Sequence, residues 1–201
     1  MRTFLTSAIA LAALAVPHMA ALADDKPVLT IYTYESFTSD WGPGPAIETA
    51  FEESCNCDLQ FVALDSSIGI FGRVQLEGSS SKADIVLGLD TNLMKTARDT
   101  GLFAPHGKKL AGRTALPIDF TDDTFMPFDW GYFAFVYNSE TMSTPPASMQ
   151  ALVDAPDDLR IVIQDPRTAT PGLGLLLWVK SVYGDKAPEA WAKLSPKIVT
   201  V

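Results

Sequence analysis

The stretch VLTIYTYESFTSDWGPGPAIETAFEESCNCDLQFVAL (28–64) decides the fold class. Residues 28–34 form a run of β-branched, apolar and aromatic side chains, the composition of a buried strand. Trp41-Gly42-Pro43-Gly44-Pro45 reads as a rigid turn. Pro45 suits the first position of a helix, where its missing N–H needs no partner. Ile47, Ala50 and Phe51 then recur at i, i+3 and i+4, one helix face, and residues 59–64 read as a second strand. Strand, helix and strand in succession argue an α/β architecture.

The alternation continues outward. Ser66 or Ser67 caps a helix whose face carries Ile70 and Val74, although Gly69 and Gly72 lower its propensity. Residues 83–89 read as a third strand, and Asp90 or Thr91 caps a helix through Leu93, Met94 and Ala97 that ends at Gly101. Residues 102–124 are loop-rich, with prolines at 105 and 117, and residues 131–137 read as another strand. Pro145 and Pro146 break the chain before a short helix begun by Ser148, and residues 160–164 read as a strand. Thr170 is expected as N-cap with Pro171 at the first helical position and Leu175, Leu176, Val179 and Val182 as the apolar face. Gly184 closes that helix, and a last one near 188–194 leads into residues 198–201. The chain stops inside what reads as a strand, without cap, turn or polar tail, and is expected to be a fragment or a truncated product.

The first residues set the compartment. Arg2, the apolar run 4–16 and Ala21-Leu22-Ala23 have the three-part pattern of a secretory signal peptide, with cleavage expected after Ala23. The run is shorter than the roughly 20 apolar residues a permanent span needs. Removing it leaves 14 basic against 24 acidic side chains, a net charge of −10. Such a surface repels nucleic acid and anionic lipid and favours cationic solutes at long range. No later segment is long and apolar enough to span a bilayer, so no direct membrane insertion is expected once the signal is gone.

Cys55 and Cys57 are the only cysteines, spaced C-x-C in an exported chain. Export permits a disulfide, and two residues can hold their Cα atoms about 5–7 Å apart, near the accepted window. A local disulfide is favoured over two free thiols, and either over a metal site, because zinc wants about four ligands and His106 is the only histidine after the leader.

An enzyme finds little support. His106 has no serine or cysteine nucleophile marked beside it, and neither a G-x-S-x-G elbow nor a P-loop occurs. Asp84, Asp90, Asp129 and Asp165 lie near expected strand ends, where caps and turns are their commoner roles. A binding protein fits better. Tyr32, Tyr34, Trp41, Phe128, Trp130 and Tyr132 cluster near strand ends, and aromatic faces attract cations by about 0.5–2 kcal/mol each. Core packing is the expected role of Tyr32, Phe133 and Phe135, whereas Tyr34 and Trp41 border the turn after the first strand. Gln164-Asp165-Pro166-Arg167-Thr168-Ala169-Thr170-Pro171-Gly172 is a strand–loop–helix junction whose free N–H groups suit an anion. Arg167 either adds a guanidinium there or pairs with Asp165. Together these features suggest a ligand with a cationic ring and an anionic tail.

KPVLTIYTYESF (26–37), DWGPGPAIETAFEESCNCDL (40–59), SKADIVLGLDTNLM (81–94), FDWGYFAFVYN (128–138) and QDPRTATPGLGLLLWVKSVYGDKAPEAW (164–191) together resemble the periplasmic thiamine-binding proteins of bacterial thiamine ABC importers. The resemblance implies an α/β, two-lobed periplasmic binding protein-like (type II) fold, with the second lobe incomplete here. Its expected parts are a signal peptide at 1–23, a first lobe at 24–130, and a hinge crossover with the start of a second lobe at 131–201. It also implies capture of thiamine, thiamine monophosphate and thiamine diphosphate in the periplasm and delivery to a membrane permease, with no cofactor and no catalysis. Tyr34 and Trp41 match aromatic positions near the ligand, and Ser66 and Ser67 match a contact pair that is Asp-Gly in the family's best-known pattern. Asp65 is the residue expected to take over part of that carboxylate role. Ala169 and Thr170 match a Ser-Thr pair on the phosphate side, where Ala169 offers only its backbone N–H. The alternative is a receptor for another small organic cation or a metal chelate. As it stands, the chain carries only part of the aromatic box and is not expected to bind thiamine tightly.

Overall fold

The computed structural model describes residues 26–108 and 120–201. The expected leader and part of the 102–124 loop lie outside the described residues. The opening segment folds as read: β1 (Val28–Tyr34), a four-residue helix α1 (Glu35–Thr38), α2 (Gly44–Cys55) and β2 (Asp58–Leu64). β1 and β2 pair in parallel over their whole length, from Val28 opposite Asp58 to Tyr34 opposite Leu64. α3 (Ser67–Glu77) follows, then β3 (Ile85–Val86), which pairs in parallel with β1 and completes a three-stranded sheet of order β2-β1-β3.

Successive side chains of a strand point to opposite faces. On one face Tyr32 packs with Ile70 and Val74 of α3, joined by Tyr34, Val62, Leu64, Val86 and Leu89. The two glycines of α3 do not prevent the helix, because Ile70, Phe71 and Val74 bury its apolar stripe and Ser66 accepts from the Gly69 N–H as its cap. On the opposite face Phe37 of α1 is almost wholly buried and meets Phe61 edge-on at 5.6 Å. That contact corrects the reading of α2. Its expected face is not a core face, since Ala50 and Phe51 are exposed and Ile47 half-buried. α2 lies along β2 beside α1, and the ring that meets Phe61 is Phe37 of α1.

Downstream lie α4 (Met94–Asp99) and, after a long irregular stretch, α5 (Met149–Val153), capped by Ser148 as expected. β4 (Ile161–Val162), α6 (Thr170–Tyr183), α7 (Ala187–Leu194) and β5 (Ile198–Thr200) follow, and β4 and β5 form a separate parallel pair. Met149, Leu152, Val153, Ile161, Leu175, Val179, Ala190 and Leu194 build a second core around that pair. Lys197 is buried beneath it, its ammonium donating to the carbonyls of Lys193 at 2.7 Å and Val153 at 3.3 Å and to Asp157.

Three expectations need correction. Residues 131–137 form no strand: no described segment pairs with them, and strands are stable only in ladders. Phe133 and Phe135, expected in the core, are accordingly 50% and 39% exposed. Leu176 and Val182 also stand outside the α6 stripe, which is centred on Leu175 and Val179. Finally, the α6 N-cap is Ala169, in extended conformation, and Thr170 is the first helical residue. The Asp165 carbonyl makes the turn by accepting from Thr168 at 3.2 Å and Ala169 at 2.9 Å, which frees the Thr170 hydroxyl for a distant partner.

Candidate ligand site at the strand ends

In a parallel sheet the side chains available to a ligand gather beyond the carboxyl ends of the strands. Tyr34 ends β1, Ser66 and Ser67 follow β2, and Asp90 follows β3. α6, which belongs to the second core, brings Thr170 to the same place. The Thr170 hydroxyl donates to Asp90 Oδ2 at 2.6 Å, and the Ser67 hydroxyl lies 2.7 Å from Thr170 Oγ1. Because Thr170 has given its proton to the carboxylate, Ser67 is the donor of the second bond. The result is a hydroxyl–hydroxyl–carboxylate chain joining three loops of two cores. Asp90 also accepts the backbone N–H groups of Asn92 at 2.9 Å and Leu93 at 3.3 Å through Oδ1, so its carboxylate is held from both sides.

The other predicted residues take distinct places. Tyr34 packs edge-on against Phe37 at 5.8 Å. Burial raises the pKa of its phenol above the ordinary value, and the charge of Asp129 adds to the effect. Trp41 is 80% exposed in the turn before α2. Ser66 is occupied as a cap, accepting from Gly69 N–H at 3.1 Å while its hydroxyl donates to Asp65 at 3.0 Å. The Ala169 N–H, the one group that residue could have offered a phosphate, is already given to the Asp165 carbonyl. Arg167 forks onto Asp165 through Nε at 2.9 Å and Nη2 at 2.5 Å. The guanidinium hydrogen bond holds the Asp165 carboxyl down at about 2. Of the two roles open to Arg167, pairing is the one it takes.

Asp84 belongs to the opposite end of the sheet: it precedes β3 and accepts the Thr30 N–H at 2.8 Å. Cys55 and Cys57 are joined by a disulfide, with Cα atoms 5.2 Å apart, between the end of α2 and the start of β2. They too lie at the amino edge of the sheet, away from the ligand side. Among the described residues no group of three or more His, Cys, Asp or Glu is placed to hold a metal ion, and no described helix is long and apolar enough to cross a membrane.

Two cores, each built on a parallel sheet, with a polar seam at the strand ends, have the arrangement of the type II periplasmic binding-protein fold. A solved periplasmic thiamin binding protein superposes with a TM-score of 0.82 at 55% identity, covering 88% of this chain and 55% of that one. A ferric binding protein from Campylobacter jejuni shares the fold at a TM-score of 0.59 and 19% identity, over 86% of this chain and 54% of its own. Residues 80–199 match the model of the bacterial extracellular solute-binding protein family, and the chain belongs to that family. The thiamine-binding periplasmic protein of Escherichia coli K12 is 54% identical over 176 residues, 88% of this chain and 54% of the relative. The chain thus spans about half the length of the curated relatives it matches.

Proposed function

We propose that this chain belongs to a non-enzymatic receptor that captures thiamine, thiamine monophosphate and thiamine diphosphate in the periplasm and passes thiamine compounds to the membrane permease of an ABC importer. The names of the relatives at 51–54% identity support the ligand and the compartment. The observation that carries the reading is the Ser67–Thr170–Asp90 chain, which sets the start of α6 against the strand ends of the first sheet. A seam between two cores is where a hinged receptor holds its ligand, and contacts made only in the closed state drive closure. The charge of Asp129 near Tyr34 favours a cation, which the tyrosine ring attracts as well.

In this reading residues 24–130 form the first lobe and 131–201 the crossover and the beginning of the second. The three-stranded sheet from residues 28–86 and the separate strand pair from residues 161–200 support that division. Tyr34 and Trp41 face the cationic ring, Ser66 and Ser67 contact the ligand from the first lobe, and Ala169 and Thr170 from the second. Isothermal calorimetry on the complete gene product tests the function. Saturable binding of thiamine below micromolar concentration is expected. No heat with thiamine or its phosphates at micromolar concentration, or displacement of thiamine by an unrelated organic cation or a metal chelate at equal concentration, overturns it.

A further inference from the structure

We propose that Ser67, Thr170 and Asp90 form a latch: bonds between protein groups alone hold the two cores together and bias the unliganded protein toward a closed seam. Among the described residues, the hydrogen bonds that join residues 26–108 to residues 149–201 are the two at Thr170, to Asp90 Oδ2 at 2.6 Å and from Ser67 at 2.7 Å. The broad packing lies within each core, α3 on β1 and β2, and α5 and α6 on α7. The seam is therefore where the two cores can part, and Thr170 is where they are tied.

Both sides of the latch are prepared in advance. Oδ1 of Asp90 accepts from the N–H groups of Asn92 and Leu93, so the carboxylate is oriented before Thr170 reaches it. Thr170 is the first residue of α6, and the partial positive charge at the start of that 14-residue helix favours the carboxylate. Capping of α3 falls to Ser66, which leaves the Ser67 hydroxyl to reach across. A hydroxyl given to a carboxylate makes a charge-assisted bond, about twice as strong as one between neutral groups. Both bonds are partly buried, so water competes for them poorly. The closed seam keeps the Ser67 and Thr170 hydroxyls engaged with each other, and a ligand enters through the minor open population.

The test reads the unliganded protein, so it stands apart from the identity of the ligand. Nitroxide labels at Leu76→Cys, exposed near the end of α3, and at Asp185→Cys, just beyond α6, report the separation of the cores in the complete gene product. Double electron–electron resonance, with the Cys55–Cys57 disulfide left oxidised, reads the ratio of long to short distances. Thr170→Val keeps the shape of the side chain and removes both bonds, leaving Asp90 Oδ2 and the Ser67 hydroxyl to find water in an open seam. The ratio is expected to rise about tenfold or more. Thr170→Ser keeps the hydroxyl and should restore the parent ratio. Asp90→Asn keeps the cap through its amide oxygen and exchanges the charge-assisted bond for a neutral one, so its ratio should lie between those of the parent and Thr170→Val. A ratio unmoved by Thr170→Val or by Asp90→Asn, or a Thr170→Ser protein as open as Thr170→Val, overturns the latch and leaves the receptor reading intact. Absence of thiamine binding by the parent overturns the receptor reading and leaves the latch standing.

Discussion

The ring of Tyr34 rests on Gly88: a Cβ added to that glycine would lie 2.5 Å from Tyr34 Cδ1. Gly88 also has a φ of 106°, a conformation that side chains rarely adopt. The aromatic residue at the end of β1 therefore depends on a missing side chain just beyond β3. Gly88→Ala should displace the ring and strain the backbone, costing about 1–3 kcal/mol. Urea unfolding measures the loss. Thiamine calorimetry on the same variant should show weaker binding than a surface substitution of equal stability cost. An unchanged midpoint and affinity would show that Tyr34 has another support.

Glu77 gathers four contacts. It accepts from Arg73 Nε at 2.6 Å, from the Ser81 hydroxyl at 2.9 Å, and from the Tyr32 hydroxyl on both oxygens, while the Arg73 guanidinium lies over the Tyr32 ring at 5.5 Å. The Arg73 hydrogen bond is the main cause of a carboxyl pKa lowered from 4.5 to about 2. A carboxylate depressed in the folded state stabilises fully above its unfolded value and loses that contribution as pH falls toward the folded one. Thermal melting at a series of pH values should therefore show stability falling between about 4.5 and about 2. In Glu77→Gln the slope over that window should be shallower and the neutral-pH melting point lower. Parallel curves for the two proteins would contradict the linkage.

These two relationships mark the boundary of what the residues disclose in order. The separate elements β1, α2 and β2, the Ser66 cap and the α3 stripe were legible because each is written in residues within one or two turns of chain. The Thr170–Asp90 bond, the contact of Phe37 with Phe61 and the burial of Lys197 were not, because each partner is chosen by the tertiary fold. Residues 131–137 show the same limit from the other side. Their composition suits a strand, but no described segment pairs with them. Around the candidate site, Ser67 and Thr170 meet across the two cores and Tyr34 stands at the end of β1 against Gly88, whereas Trp41 stands in solvent.

Export makes a prediction about the first residues. From the basic start, the apolar run and the small-x-small triplet, cleavage is expected after Ala23. Intact-mass analysis of protein recovered from the periplasm should give Asp24 as the first residue. Recovery only with membranes, with the mass of residues 1–23 retained, would identify an anchor instead.

The Cys55–Cys57 disulfide closes one of the shortest loops two cysteines allow. It fixes the end of α2, the left-handed Asn56 at φ 52° and the first residue before β2, and Cys57 is 7% exposed. The entropy removed from the unfolded chain by so small a ring corresponds to about 1–2 kcal/mol. A Cys55→Ser, Cys57→Ser double variant should lose about that much in urea unfolding. Its thiamine affinity should stay within about twofold of the parent, because the pair lies at the amino edge of the sheet and the candidate site at the carboxyl edge. Thiol titration of the unfolded, unreduced parent should find no free thiol. A large loss of affinity with little loss of stability would place this junction in communication with the site, and the disulfide would then be more than a clip between helix and strand.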